Sequence, residues 1–343
     1  MWEVANHGKR GMAIDISKPE GGELILQMAE EADVFVTNFL TEGRRKLVID
    51  VEEVMERNPR IIYARGSGQG PAGPDAELGG FDGLTYWERG GIAATLTPVG
   101  GDHPVRMAGP GLGDVQSGTA LVGGIGAALF QRERSGKGVA VDVSLLSAGM
   151  WAMQPTVVAA SLTGVDVLPI PAHDDIGNPL VNTYRTSDGR HLTLSMLESD
   201  RYWLGFREVT RRSDLVNDPG FAGSAAPVEN RAALTAILAE LFGSHTLAEW
   251  KDMLGRQEEP WTVLQYPGEV ARDPQAEANG YVQDVNYGDG RTLRLVSAPV
   301  QFDESPGTLT PAPQYGAQTE EVLLEMGCDS EDLGWMNEAG VII

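Results

Sequence analysis

The fold is decided by the stretch Asp33-Val-Phe-Val-Thr37, a continuous apolar run with the length of a β-strand. Before it, apolar residues recur at helical spacing over residues 24–29, and after it a short helical segment covers residues 51–57. A second apolar run, Arg60-Ile-Ile-Tyr-Ala64, follows. Helices that alternate with strands whose two faces are both apolar predict an α/β fold, with a Rossmann-like parallel sheet covered by helices.

Further segments extend this pattern along the chain. We expect strands over residues 12–16 and 138–144, and helices over residues 115–133 and 145–163. The turn Ser187-Asp-Gly-Arg190 lies between two strand-like segments and predicts a β-hairpin. This hairpin and the helical stretches that follow it indicate a smaller α+β domain.

Proline-rich stretches mark two linkers and so divide the chain. The order expected is a large domain, a linker, a small α+β domain, a return linker and a C-terminal helix that packs back on the large domain. The corresponding ranges are 1–164, 165–178, 179–282, 283–314 and 315–343. The sequence opens almost at once on its first expected strand, so we expect the first βα unit of the sheet to be missing.

Composition excludes several partners. The formal charge of −23 disfavours nucleic acids and anionic membranes, because the field of the protein repels them. The longest apolar run, Thr119 to Phe130, is shorter than the about 20 residues that span a bilayer. No signal peptide is visible in residues 1–6, and Cys328 is the single cysteine, which is typical of a reducing compartment. We therefore expect a cytoplasmic protein with no membrane partner.

One carboxylate stands out, that of Asp114 in the stretch Met107-Ala-Gly-Pro-Gly-Leu-Gly-Asp-Val-Gln-Ser-Gly118. The glycines permit a turn that holds a side chain in the open beside bare peptide N–H groups. A carboxylate in that setting can attack an acyl carbon while the N–H groups stabilise the oxyanion. Asp is also a favoured N-cap, and a helix is expected to begin here, so a purely structural role for Asp114 stays open.

Taken together, the segments resemble the family III CoA transferases, a superfamily that includes formyl-CoA and carnitine-CoA transferases and the α-methylacyl-CoA racemases. The resemblance covers some 300 residues and depends on the order and spacing of several short motifs. These include Lys9-Arg-Gly-Met-Ala-Ile-Asp-Ile16, Asn38-Phe39, Asn58-Pro-Arg-Ile-Ile-Tyr63, Gly80-Phe-Asp82, Gly113-Asp114, Arg132-Glu-Arg-Ser-Gly136 and Val141-Asp-Val-Ser-Leu145.

The resemblance implies a reaction and its partners. Asp114 would be the nucleophile that moves CoA from an acyl-CoA thioester to a carboxylic acid, through a mixed anhydride and an aspartyl-CoA thioester. Coenzyme A would be a co-substrate and not a permanently bound cofactor. No metal is expected, since the five histidines are scattered along the chain. The family also implies a homodimer whose chains interlock.

The resemblance further assigns binding residues. Asn38 and Phe39, with Lys46 and Leu47 one helical turn later, would line the site for the adenine and phosphates of CoA. Lys46 belongs to the basic run Arg44-Arg45-Lys46, which a solvated helix face explains equally well for its two arginines. The pocket for the acyl group is expected at Gly113 and beside three aromatic residues, namely Phe81, Tyr86 and Trp87. Plain core packing is an equal explanation for these aromatic side chains.

Departures from the family pattern leave two other functions open. Racemases of the superfamily carry a histidine at the position of Phe81, and Phe81 cannot act as the base that removes an α-proton. The sequence therefore favours a transferase over an α-methylacyl-CoA racemase-type isomerase. The family's Arg-Pro-Gly is replaced by Leu40-Thr-Glu42, and a family lysine by Gly79. A non-catalytic, degenerate paralogue is the second alternative.

Overall fold

The structure is a computed structural model in which the chain divides into two compact units. The described residues are 2–98, 100–168, 170–198, 201–202, 205–206, 210, 230–255 and 260–342. The first unit contains Met1–Pro169, Gln283–Ala298 and Gly307–Ile343. The second unit contains Ile170–Val282 and Pro299–Pro306.

A parallel three-stranded sheet lies at the centre of the first unit. Its strands are β1 (Val34–Thr37), β2 (Ile62–Ser67) and β3 (Ala140–Ser144), in the order β1-β2-β3. Val34 pairs with Ile62 and Tyr63 with Ala140, both in parallel register. The predicted mixed α/β fold with a parallel sheet is confirmed.

The described residues of the first unit also form helices. Those before β3 are α1 (Trp2–Asn6), α2 (Pro19–Glu31), α3 (Thr41–Lys46), α4 (Val51–Arg57), a π-helix (Asp82–Arg89), α5 (Ile92–Leu96) and α6 (Leu112–Ser135). After β3 come α7 (Leu145–Ala152), α8 (Gln154–Thr163) and, near the C-terminus, Thr319–Glu325 and Ser330–Glu338. Leu26 of α2 and Val54 of α4 pack with Tyr63 of β2 in one core cluster. Leu323 and Met336 pack with Leu24 of α2 in another.

Two predicted elements differ from those found. The strand predicted over residues 12–16 is wrong, since only Ile14 pairs, in an isolated bridge with Ile342. The chain turns directly after it, where the backbone N–H of Lys18 donates to the Asp15 carbonyl. The single helix expected over residues 145–163 is also wrong. Helices α7 and α8 meet at a bend of 75° at Met153, because Pro155 occupies the first turn of a helix readily but not its interior.

No single helix in the described part of the chain is long and apolar enough to cross a membrane. The bent pair α7 and α8 satisfies the length and composition requirement only when its two helices are taken together.

The second unit contains an antiparallel sheet of β4 (Thr183–Arg185), β5 (His191–Leu194) and β6 (Trp261–Val263). The predicted hairpin is confirmed as β4 and β5. Residues 211–229 of the expected small domain lie outside the described residues. The core joins Leu192, Phe242 and Trp250. Among the described residues of this unit, a 3-10 turn covers His173–Asp175, and α-helices cover Arg231–Phe242, Leu247–Leu254, Pro267–Val270 and Pro274–Ala278. Residues 201–202, 205–206 and 210 are also helical.

The segment expected as a return linker, residues 283–314, carries regular structure. Strands β7 (Val282–Asn286) and β8 (Thr292–Val296) form a two-stranded sheet within it.

A buried ion pair holds the segment that follows β1. Arg44 of α3 donates from Nε to Oδ1 of Asp50 at 2.8 Å, and both side chains are less than a tenth exposed. The same guanidinium donates to the carbonyl of Phe39 and to Oγ1 of Thr41. Burial alone would raise the pKa of Asp50, but hydrogen bonds from Arg44 and the Val51 N–H outweigh it and hold this pKa below its usual range. Arg44 is therefore neither a solvated residue nor free to bind an anionic ligand.

We expect Asp50→Asn to lower the free energy of unfolding by about 3 kcal/mol at neutral pH, because it leaves the Arg44 guanidinium buried without a counter-charge. The folded pKa of Asp50 is depressed, so its contribution is complete above the unfolded pKa and is lost as pH falls through the folded pKa. Urea denaturation from neutral to acidic pH measures both effects, and the variant and the parent should converge in acid.

Glu23→Gln is the matched control, because Glu23 pairs with Arg57 at 2.6 Å on the surface and such a pair contributes at most about 1 kcal/mol. Equal losses in the two variants would contradict the role given to Asp50.

Candidate active site

Asp114 lies in the first turn of α6, with its side chain exposed. Gly111 is the N-cap residue, at a φ of 91° that glycine adopts without strain. The interpretation of Asp114 as the helix cap is therefore wrong, and α6 begins three residues before the expected start, at Leu112. The first N–H groups of a helix lack intrahelical acceptors, so Asp114 stands among unpaired donors at the positive end of the helix dipole.

The glycine before Asp114 is required by close packing. A Cβ atom on Gly113 would lie 2.6 Å from Cβ of Tyr86 and 2.8 Å from Cβ of Asp82. The first turn of α6 therefore lies directly against the π-helix, at a distance that only glycine permits. This contact fixes the backbone position of the residue that follows, Asp114.

Asp82 is the second carboxylate of the site and is held by backbone donors. Its Oδ1 accepts from the N–H of Gly83 at 2.8 Å, and its Oδ2 accepts from the N–H of Gly111 at 2.7 Å. Although Asp114 is exposed, partial desolvation by the protein around it raises the pKa of its carboxyl above the usual range, and the charge of Asp82 raises it further. A raised pKa makes the ionised carboxylate of Asp114 more basic and a better nucleophile.

A cavity of about 470 Å³ opens in front of Asp114. Two backbone segments form part of its wall and touch each other, since a Cβ on Gly68 would lie 2.7 Å from Cα of Gly80. The carboxyl ends of the three parallel strands meet here, which is where open α/β sheets bind ligands. The residues that line the cavity are Asn38, Leu40, Gly66, Ser67, Gly68, Gly79, Gly80, Phe81, Asp114, Ser117, Gly118, Leu121, Val143 and Leu145.

The lining is mainly apolar, and Asp114 is the one titratable side chain among its described members. Ser117 follows Asp114 by one helical turn, and its Oγ is buried without a hydrogen-bond partner in the described structure. A hydroxyl without a partner keeps its capacity to donate a hydrogen bond, here beside the Asp114 carboxylate.

The structure brings together some of the residues predicted for this site. Asn38 and Phe81 line the cavity, and Phe81 is 75% exposed at its mouth. Phe39 is exposed next to Asn38. Lys46 is exposed at the end of α3, whereas Leu47 is half-buried against the core, and neither of them lines the cavity.

Tyr86 and Trp87 are buried in a core cluster with Ile92 and Leu145 and do not line the cavity. The indole N–H of Trp87 donates to the Val105 carbonyl at 2.8 Å. Both side chains therefore take the core-packing role that the sequence left open. Tyr86 contacts the site only through Gly113, on the side of the core.

Several lining residues were not anticipated from the sequence. Ser117 had a readable signal, because a residue three positions after Asp114 on a helix lies on the same face. Leu121 had the same signal, because it lies on the same helix, seven residues after Asp114. Val143 had none, since it comes from a separate strand that only the fold brings to the cavity.

A second cavity, of about 490 Å³, lies between α2 and the helix Ser330–Glu338. Its lining includes Cys328, whose thiol pKa is raised by burial and then by the charges of Asp332 and Asp329. A thiol in that environment stays protonated and unreactive. Within the described residues no group of three or more histidine, cysteine or acidic side chains is placed to hold a metal ion.

Comparison with known proteins finds similarity over almost the whole chain. The family model of CoA-transferase family III matches residues 1–319. The chain is 31% identical to the (R)-2-hydroxy-4-methylpentanoate CoA-transferase of Clostridioides difficile, over 100% of this chain and 85% of that protein. It is 27% identical to human alpha-methylacyl-CoA racemase, over 98% of this chain and 85% of that protein. The crystal structure of a CAIB/BAIF family protein from Brucella suis superposes with a TM-score of 0.80 at 26% identity, covering 95% of this chain and 83% of the other.

We expect Gly113→Ala to lower the free energy of unfolding by about 1–3 kcal/mol, because the added methyl group overlaps Tyr86 and Asp82. Urea denaturation measures this loss. Gly334→Ala is the control, since Gly334 lies within a helix with nothing within 4 Å of the added atom and should gain up to about 1 kcal/mol from helix propensity. A Gly113→Ala variant as stable as the parent would contradict the close contact.

Proposed function

The chain belongs to CoA-transferase family III, and we propose that it moves CoA from an acyl-CoA thioester to a carboxylic acid with Asp114 as the nucleophile. The observation that carries this proposal is the position of Asp114. Its carboxylate is exposed in the wall of a cavity, and no ion-pair partner neutralises it among the described residues. Asp82, fixed by two backbone N–H groups, keeps a second negative charge nearby.

The first half of the reaction releases the donor acid. An oxygen of ionised Asp114 attacks the thioester carbonyl carbon. The C–S bond breaks, the CoA thiolate is released, and a mixed anhydride forms between the acyl group and Asp114. The thiolate then attacks Cγ of Asp114 and expels the donor carboxylate, which leaves an aspartyl-CoA thioester. The first N–H groups of α6, which have no intrahelical acceptors, would stabilise the oxyanions of these steps.

The second half reverses these steps with the acceptor. The acceptor carboxylate attacks Cγ of Asp114 and expels the CoA thiolate, which forms a second mixed anhydride. The thiolate then attacks the acceptor's acyl carbon, and Asp114 leaves as a free carboxylate. No proton is consumed, and CoA acts as a co-substrate that is not permanently bound. The apolar lining supports this chemistry, because it keeps water from the reactive anhydride.

CoA contacts are proposed at the end of β1. Asn38 reaches the cavity wall and the exposed ring of Phe39 offers a face for stacking, which supports an adenine site there. Lys46 can meet a phosphate as a point charge. Leu47 is proposed as packing support beneath this site and not as a direct contact, because it faces the core.

The acyl group is proposed to lie against Phe81 and beside Gly113, with Tyr86 and Trp87 supporting the wall from the core. This arrangement favours transfer over isomerisation. Exchange of an α-proton needs a base on the substrate face, and Phe81 offers none.

We expect Asp114→Ala to lose CoA transfer by at least about 1,000-fold, because the covalent path needs the carboxylate. Asp114 in the parent should gain the mass of an acyl group or of CoA when it is incubated with acyl-CoA thioesters, as read by mass spectrometry of the denatured chain. Asp142→Ala is the control, since Asp142 pairs with Arg65 outside the cavity lining and should leave the adduct in place.

Retained transfer in Asp114→Ala would contradict this function. Solvent deuterium entering the α-position without transfer would support the racemase-type alternative. Unchanged behaviour of both variants and no adduct in the parent would indicate a non-catalytic paralogue.

A homodimer of interlocked chains is also proposed. The exposed faces of α6, α7 and α8 carry large apolar side chains, among them Val122, Phe130, Trp151 and Leu162. Trp151 is 75% and Leu162 82% exposed within the single chain. Exposed apolar side chains in this number favour a surface that a partner covers, and a second copy is the partner that the family implies.

We expect sedimentation velocity to give the mass of two chains at micromolar concentration. Interlocked chains cannot separate without unfolding, so tagged and untagged dimers that are mixed should form no hybrid until they are denatured and refolded together. Trp151→Glu should abolish the dimer, whereas Leu324→Glu, at an exposed leucine near the C-terminus, should not. A single-chain mass for the parent, or rapid hybrid formation, would contradict the proposal.

A further inference from the structure

The wall of the Asp114 cavity offers no positive charge among the residues that the structure describes. Its polar side chains are those of Asn38, Ser67, Ser117 and Asp114, and the other members are glycines or apolar residues. No lysine, arginine or histidine belongs to the described lining. A negatively charged group on the substrate, beyond the reacting carboxylate, would find no ionic partner there.

Three arginines on the elements around the cavity are already engaged. Arg65 of β2 makes a bidentate pair with Asp142 of β3, at 2.6 and 2.9 Å. Arg89 of the π-helix pairs with an aspartate of the neighbouring loop at 2.7 Å. Arg44 is buried against Asp50. Moving any of these guanidinium groups toward the cavity would leave a carboxylate without its partner.

The existing charges at the site are negative. Asp114 and Asp82 lie close enough for the charge of Asp82 to act on Asp114. Leu121 and Leu145 are buried in the lining, and Val143 is half-buried. A second substrate carboxylate would lose its water against these side chains while two carboxylates repel it, and burial of an unpaired charge is strongly unfavourable.

We propose that this site selects monocarboxylic acids with an apolar chain, and their CoA thioesters, and rejects dicarboxylic acids. The inference rests on the proposed function and deepens it by naming the substrate class. The apolar side chains Leu121, Val143, Leu145 and Phe81 hold the substrate chain, and the absence of a cation in the described lining excludes a second carboxylate. Phe81 at the mouth is the specificity-determining position that is easiest to change, because it is mostly exposed.

The test is identity exchange, in which each carboxyl-labelled acid is incubated with its own unlabelled CoA thioester and the full-length chain. The labelled carboxylate takes the CoA, the unlabelled acid leaves, and nothing is oxidised or reduced. Hexanoate and adipate form a matched pair, because they have the same number of carbons and differ only in the terminal carboxylate. We expect kcat/KM for hexanoate to exceed that for adipate by at least about tenfold.

A charge added at Phe81 tests the cause of this selectivity. Phe81→Arg should raise adipate exchange relative to hexanoate exchange by at least about tenfold, since it supplies the missing partner. Leu78→Arg is the control, because Leu78 is exposed in the same loop but does not line the cavity, and it should leave the ratio unchanged. Circular dichroism confirms that both variants fold.

Adipate exchange as fast as hexanoate exchange in the parent would overturn the selectivity and leave the proposed function intact. An equal change of ratio in Phe81→Arg and Leu78→Arg would overturn the role of the cavity lining. Absence of exchange with both acids would overturn the proposed function, and the selectivity with it.

Discussion

The site depends on one steric constraint, the contact of the first turn of α6 with the π-helix at Gly113. A side chain at that position would overlap Tyr86 and Asp82, so only glycine lets the two elements meet. The contact places Asp114 beside Asp82 and brings the Gly111 N–H to the second carboxylate. One residue without a side chain therefore allows the close contact that places Asp114 next to Asp82.

The remainder of the site is held by the sheet and its connections. Asn38 follows β1, Gly68 follows β2, and Leu145 follows β3, so all three reach the cavity from the carboxyl edge of the parallel strands. The Arg44 guanidinium donates hydrogen bonds both to the Phe39 carbonyl, next to Asn38, and to the buried carboxylate of Asp50. Two kinds of contact therefore hold the cavity wall: the parallel pairing of β1, β2 and β3, and the buried ion pair of Arg44 with Asp50. Neither contact uses a group that the proposed chemistry consumes.

The sequence was sufficient where a local pattern determines the structure. The apolar runs at residues 33–37 and 60–64 predicted the parallel strands, and the Ser187–Arg190 turn predicted the hairpin, because period and turn chemistry act over a few residues. The exposed position of Asp114 in its turn was also anticipated. Its supposed role as a cap was not correct, because the more permissive backbone of Gly111 takes that position.

Sequence reasoning failed where distant segments meet. Nothing near Val143 reveals that it lines the same cavity as Asp114, and nothing near Arg44 reveals that its charge is buried against Asp50. The aromatic pair Tyr86 and Trp87 illustrates the same limit, because their bulk is equally suited to a pocket or a core and only the packing decides. These properties belong to tertiary contacts, and a single sequence does not contain them in readable form.

The contact between Gly68 and Gly80 has a consequence for how the protein can evolve. Where backbone meets backbone, no side chain is available for mutation to reshape, and any larger residue would push the two loops apart. Variation is confined to the few positions that do present side chains, such as Phe81 and Leu121. Single substitutions at those positions can therefore change the shape of the cavity while the backbone around Asp114 stays as it is.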